Sequence, residues 1–221
     1  MAVTSDDIWN ALAYKYWSQP GWEILGEVPI TDTEGIKYGK AVYAEFNRVQ
    51  QERYAGPRGY DEPTTPEWTA AFDATRNLPA QVRYIDALAF KGPYRVAFEI
   101  KISRGDFKRD TLDKRRAWME AAHQFAYVAP KGLITKEELP QGCGLLEFTE
   151  MAPEVLNVWE RAHGCTGQLQ WRVNAPKRKD LPKELNQYFV QYFAGRASRA
   201  EHALRQHTRM ERNRHTPTTP M

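Results

Sequence analysis

Residues 81–130 constrain this chain more than any other stretch. They read QVRYIDALAFKGPYRVAFEIKISRGDFKRDTLDKRRAWMEAAHQFAYVAP. Two strand-like runs meet at a tight Lys91-Gly92-Pro93 turn, and a long amphipathic helix and a further apolar strand follow. On the second run Val96, Phe98, Ile100 and Ile102 alternate with Ala97, Glu99 and Lys101. Successive side chains of a strand point to opposite faces, so Glu99 and Lys101 share one face while the aliphatics are expected to enter the core. Asp86 interrupts the first run between Ile85 and Ala87, and the turn folds that run against the second. An Asp, a Glu and a Lys thereby converge where polar groups are otherwise costly.

The chain before this block opens with a helix carrying Ile8, Trp9, Leu12, Ala13 and Tyr16, with Ser5 or Asp6 as its expected cap. A strand is expected over Trp22–Ile30, then a loop over Thr31–Gly39 and a helix over Ala41–Arg53. A Gly/Pro-rich loop (Tyr54–Thr65) and a helix entered at Pro66 and ending before Pro79 complete an insertion, 31–80, between the first two core strands. After the hairpin, one helix is expected from about Gly105 to His123, with Asp106 and Asp110 in its early turns. Strands are expected over Phe125–Ala129 and Gly144–Phe148, a helix over Glu154–His163, and an edge strand over Leu169–Val173. Trp118 and Trp159 fit core stripes. Lys177, Arg178 and Lys179 form a basic linker before a long final helix with Leu185, Tyr188, Phe189, Tyr192 and Phe193, which turns Arg-rich from Gly195 onward. This reads as an α/β fold in which a small mixed sheet is flanked by helices, with a domain over 1–173 and a basic linker and helical tail over 174–221.

At 221 residues, with 42% hydrophobic and 12% aromatic residues, the chain can build a real core. The net charge of +3 permits a nucleic-acid partner without requiring one. Cys143 and Cys165 lack the spacing of a zinc set or a disulfide framework. The opening MAVTSDDIWN is unlike a signal peptide, and no apolar run approaches membrane-spanning length, so a soluble cytoplasmic protein is expected.

Two carboxylates on neighbouring strands suit Mg²⁺, with Mn²⁺ as the expected substitute. Magnesium takes one or two carboxylates and leaves its remaining positions to water and phosphate. Asp86, Glu99 and the backbone carbonyl of Ile100 form the expected ligand set. Lys101 beside them is expected to orient a nucleophile or offset charge on phosphate. By itself Glu-x-Lys is common on solvated strand faces, and a structural α/β protein with a surface ion pair is the plain alternative.

The run EIKISRGDFKRD, followed by AYVAPKGLI and ELPQGCGLLEF, resembles the PD-(D/E)XK nuclease superfamily and, within it, MmcB-like DNA-repair-associated proteins and related phage nucleases. The resemblance covers 81–149 through Asp86, Glu99, Lys101, Ser103, Asp106, Phe107 and Asp110, and 6–30 by order only. It implies a restriction-endonuclease-like αβββαβ core with the Asp on the second strand and Glu-x-Lys on the third. It further implies magnesium-dependent DNA hydrolysis, as an endonuclease or nickase in repair, recombination or phage DNA metabolism. Ile85 stands where the family's nominal Pro would precede the Asp, and the basic residue after Asp110 falls at Lys114. Many members add a Glu from the first helix; here Glu23 or Glu27 must substitute, and Glu27 is preferred.

DNA is the expected partner, with homodimer formation left open. Ser103, Lys114, Lys177, Arg178, Lys179, Arg196 and Arg199 are the expected contacts to nucleic acid, and Ser103 with Asp106 also fits a helix cap. His123 and Cys143 read as structural. A nuclease fold that has lost catalysis and serves as a binding module is the functional alternative, although such a module has no need of buried like charges.

Overall fold

In the computed structural model, residues 3–55, 65–78, 81–178, 181 and 183–214 are described. They divide into two compact units, Met1–Lys179 and Asp180–Met221.

The first unit is built on one six-stranded mixed sheet whose spatial order follows the chain. Helix α1 (Ser5–Trp17) leads into β1 (Glu23–Thr31); helices α2 (Thr33–Ala55) and α3 (Pro66–Arg76) intervene before β2 (Val82–Lys91) and β3 (Tyr94–Ile100). Two short helices, α4 (Arg104–Lys108) and α5 (Leu112–Ala121), return the chain to β4 (Gln124–Pro130). Then come β5 (Gly144–Glu150), α6 (Val158–Ala162) and β6 (Gly167–Val173). The pairs β1–β2, β2–β3 and β5–β6 are antiparallel, whereas β3–β4 and β4–β5 are parallel. The fold is α/β, as expected, and β6 is an edge strand, with β1 at the opposite edge.

The β2–β3 hairpin closes in two residues, Gly92 and Pro93. Gly92 adopts φ 55, which only glycine takes without strain at the first central position of such a turn. Alternation along the strands then divides the sheet. On one face Ala87, Ala89, Val96, Phe98, Ala126, Val128, Leu146 and Phe148 pack against Ile8, Leu12 and Tyr16 of α1. Burying each large aliphatic of this set contributes about 1.5–3 kcal/mol relative to leaving it exposed. The cap of α1 is Thr4, one residue earlier than expected: its hydroxyl accepts the Asp7 N–H, and the Asp7 carboxylate accepts the Thr4 N–H at 2.9 Å. The other face is covered by α5 through Ala117, Trp118 and Ala121.

Several expectations need correction. The expected loop at Thr31–Gly39 is the end of β1 followed directly by α2, because the Asp32 side chain accepts the Gly35 N–H at 2.9 Å and starts the helix. The expected single helix over 105–123 is two helices. Asp110 lies at their junction, held by the Tyr127 hydroxyl and by Arg115 at 3.3 Å, and Thr111 restarts the chain as the cap position of α5. The last expected helix of this unit begins at Val158 rather than Glu154, because Asn157 forms a capping box with Glu160. Trp159 is exposed, not core, and so is Ile102, which follows the end of β3 at Ile100.

Residues 174–178 belong with the sheet unit: the Arg178 N–H donates to the His123 carbonyl at 2.9 Å, and Gln124 donates to the Ala175 carbonyl. The second unit is helix α7 (Lys183–Arg214), on which Tyr188 stacks with Tyr192 and Phe189 with Phe193. No helix among the described residues is long and apolar enough to cross a membrane.

Candidate active site

The β2–β3 ladder runs from Lys91 opposite Tyr94 to Ala87 opposite Phe98 and stops there. Asp86 and Glu99 are the next residues on each strand, and both point by alternation to the α5 face. The Ile100 N–H, facing β2, finds no strand carbonyl; the Asp86 carboxylate accepts it at 2.7 Å. In an extended strand a residue's N–H and C=O point to the same edge, so the Ile100 carbonyl faces this gap too. Lys101 follows immediately. Its backbone N–H joins the parallel ladder on the other side, donating to Val128 at 2.9 Å, which fixes the direction of its side chain.

Lys101 is buried. Its ammonium lies 2.9 Å from Glu99 Oε1 and 3.8 Å from Asp106 Oδ1. Burial opposes its charge, but Glu99, Asp106 and Asp110 outweigh that and hold its pKa above the usual lysine value. The carboxylates respond in the opposite way. Burial and the neighbouring Asp86 push Glu99 up to about 7, against the pull of Lys101. Asp86 is also raised, by burial first and by the charges of Asp106 and Glu27, although the Ile100 N–H and Lys101 favour its ionised form.

Five carboxylates thus act on one another, with Lys101 and Arg115 as the counter-charges closest to them. Asp110 pairs with Arg115 and with the Tyr127 hydroxyl, whose own pKa is pushed up by burial and by that carboxylate.

Glu27 is the one non-glycine described residue with positive φ, at 51. It stands between the pairs Gly26–Ala87 and Val28–Ile85, directly across β1 from Asp86. A non-glycine residue in this conformation costs on the order of 1–3 kcal/mol, and such strain concentrates at functional sites. Glu23, the alternative fourth acid, pairs with Phe90 at the far end of the strand. Asp7 is occupied in the α1 cap and by Thr166 at 2.7 Å.

The expected nucleic-acid contacts scatter more. Ser103 is a helix cap: its Oγ accepts the Asp106 N–H at 3.1 Å. Lys114 is exposed at the rim of a cleft of about 210 Å³ beside Glu99, shared with Arg83, Arg115 and Trp118. The Arg178 guanidinium donates to the Met119 carbonyl in the last turn of α5, which makes it a C-cap. Lys177 stands over the Tyr94 ring at 6.0 Å. Lys179 lies outside the described residues. Arg196 and Arg199 belong to α7, Arg199 being exposed.

His123 is structural, as expected: its Nδ1 accepts the Arg95 N–H at 3.1 Å, and burial lowers its pKa. Cys143 is buried, with its thiol pushed up to about 11. Arg115 and Tyr127, which set the wall of the site, were not anticipated. The signal for Tyr127 was its polar tip on an otherwise apolar strand next to Glu99.

The donor set suits a hard divalent cation. Two carboxylates with raised proton affinity repel one another, and a strand carbonyl faces the same gap. Among the described residues no group of three or more His, Cys, Asp or Glu side chains is placed to hold a metal ion, so the candidate donors are two carboxylates and a backbone carbonyl. Two carboxylates with a carbonyl fit the sparse protein ligation of magnesium.

No family model matches the chain, and no curated protein matches it in sequence. The fold is similar to the solved structure of a protein of unknown function from Silicibacter pomeroyi. The two share 15% identity with a TM-score of 0.50, over 93% of this chain and 94% of that one. That likeness concerns the fold alone.

Proposed function

We propose that this chain is a magnesium-dependent hydrolase of DNA phosphodiester bonds, an endonuclease or nickase of the PD-(D/E)XK kind acting in repair, recombination or phage DNA metabolism. One observation carries the reading: Asp86 and Glu99, both with raised proton affinity, meet beside the buried ammonium of Lys101 where the β2–β3 ladder ends. The element order agrees with it, since α1, β1, β2, β3, α5 and β4 run αβββαβ with Asp86 on β2 and Glu99 on β3.

Asp86, Glu99 and the Ile100 carbonyl would hold the Mg²⁺ ion, with Mn²⁺ as a substitute. When bound, the cation supplies Lewis acidity and compensating charge at the scissile phosphate. Lys101 contributes what a surface lysine cannot. Its stem is buried and its ammonium tethered, so it presents a fixed positive charge to the attacking water or to the phosphate oxygen that gains charge. Glu27, across the strand, adds negative charge next to Asp86, which favours a cation there over a proton-poor empty pocket. Asp110, Arg115 and Tyr127 tie the start of α5 to β4 behind the site, while Lys101 holds Glu99 in place at 2.9 Å.

The direct test incubates the protein with supercoiled plasmid, linear duplex, branched and single-stranded DNA, in Mg²⁺ or in EDTA. Cleavage of at least one substrate in Mg²⁺ and none in EDTA is expected. Intact DNA in every magnesium reaction, with binding preserved, would favour an idle binding module instead.

A further inference from the structure

A second cleft lies on the α1 face of the sheet, at the opposite end of β3 from Glu99. Tyr94 and Glu99 are five residues apart on β3, roughly 16 Å along the strand, and the two sites open on opposite faces. The cleft encloses about 560 Å³, within the range of small-ligand sites. Its walls are aromatic: Trp22, Tyr94 and Trp171. Its charges are Lys15 and Lys177, and among the described residues no acidic side chain lines it. Among the described residues neither lysine has an ion-pair partner.

The cleft is pre-organised. The Tyr94 hydroxyl donates to Gln124 Oε1 at 2.7 Å, and Gln124 in turn donates to the Ala175 carbonyl. The Tyr94 ring stacks on His123 at 4.8 Å and meets Trp22 edge-on at 6.0 Å. Lys177 sits over the same ring. Lys15 is half-buried, and burial lowers its pKa, a cost that an anion bound beside it would remove. The Asn174 amide is exposed at the rim, with a donor and an acceptor.

Aromatic walls, two lysines without an ion-pair partner among the described residues and an amide together match one ligand chemistry: a flat heteroaromatic ring carrying a phosphate. A duplex hides the faces of its bases, whereas an unpaired strand exposes them for stacking. An acidic peptide would satisfy the lysines but make no use of the part of the Trp22 and Trp171 rings that stays exposed beyond their packing on Tyr16, Tyr94 and Phe98. We propose that this cleft binds single-stranded nucleic acid, an unpaired base against Trp22 and Trp171 with its phosphates on Lys15 and Lys177. The inference goes beyond the hydrolytic reading and does not depend on it.

Binding is measured in EDTA, where no cleavage intervenes, by the anisotropy of a labelled oligothymidylate and by quenching of tryptophan fluorescence. The intact chain should bind with quenching, and unlabelled single strand should compete better than duplex or polyglutamate. Lys15→Glu/Lys177→Glu, at a half-buried and an exposed position, should weaken binding at least tenfold. The slope of log K against log salt should become shallower by about 0.7 per lost phosphate contact. Trp171→Leu should weaken binding roughly tenfold by loss of one stacking partner.

Absence of binding, an unchanged affinity and salt slope in the double lysine variant, or equal competition by duplex or polyglutamate would each overturn the proposal.

Discussion

Two charge clusters in the sheet unit use the same residue types and reach opposite electrostatic outcomes. Asp32, almost fully buried, is met by Arg116 at 3.1 Å, Arg83 at 3.4 Å and the Gly35 N–H at 2.9 Å. Burial alone would raise its pKa, but these three partners outweigh it and hold the carboxylate below its usual value. Glu99 has one cation, Lys101, which it shares with Asp106 and Asp110, and its own neighbour Asp86 is another acid; it is pushed up to about 7. The first cluster is complete as it stands and joins α2, β2 and α5. The second is short of positive charge. Buried ion pairs are therefore not alike: the direction of the carboxylate shift separates a cluster whose charge is satisfied within the fold from one that, on the proposed reading, receives a cation.

The comparison breaks if the clusters can exchange roles. The largest expected effect is on cleavage: Asp86→Asn or Glu99→Gln should lower plasmid nicking at least about 1,000-fold, some 4 kcal/mol. Thermal stability without metal should hold or rise, because a like charge has been removed. Nicking within tenfold of the unmodified chain would show that these carboxylates are not the catalytic ones.

Asp32→Ala should do the reverse. It strands two arginines near a buried site and should cost about 3–5 kcal/mol in urea denaturation, while leaving magnesium affinity unchanged in whatever fraction is folded. A loss below about 1 kcal/mol would mean the arginines find water instead.

The pH dependence sharpens the contrast further. The folded state holds the Glu99 proton up to about pH 7, whereas the unfolded chain releases it near 4.5. Stability should therefore fall as pH rises through that window, on the order of 3 kcal/mol, and level off above it. Glu99→Gln should abolish this slope. Asp32 has the opposite sign: its contribution is present above about pH 3.8 and is lost as pH falls below that value. The smallest effect is expected at Ser103. Ser103→Ala should cost about 1 kcal/mol as a lost cap with little change in DNA affinity, and a tenfold loss of affinity would restore it as a contact.

The strands and the Asp-Glu-Lys convergence were legible because alternation on a half-covered sheet is a local signal, readable from Val96 to Lys101. What escaped the sequence depends on partners distant along the chain. Nothing near Asp110 announces that Tyr127 and Arg115 will claim its carboxylate and split the helix. Alternation carried Ile102 into the expected core because the pattern outlasts the strand by two residues. Trp159 was assigned by hydrophobicity, but its five-residue helix is too short to bury a full stripe. Asp32 was readable in principle: Thr31-Asp32-Thr33-Glu34 is a helix-entry pattern that the strand before it obscured. Glu27 was placed by its acidity, while the strain beneath it could only come from the backbone.

The central claim is that the end of the β2–β3 ladder binds a divalent cation through Asp86 and Glu99. Calorimetric titration of Mg²⁺ into the chain without DNA, in buffers of different ionisation enthalpy, tests it directly. At pH 6 Glu99 is largely protonated, so binding should release close to one proton from it; at pH 8.5 it should release almost none. Asp86→Asn should show no binding heat. Saturable binding with the same proton release at both pH values, or binding that survives in Asp86→Asn, would contradict the account.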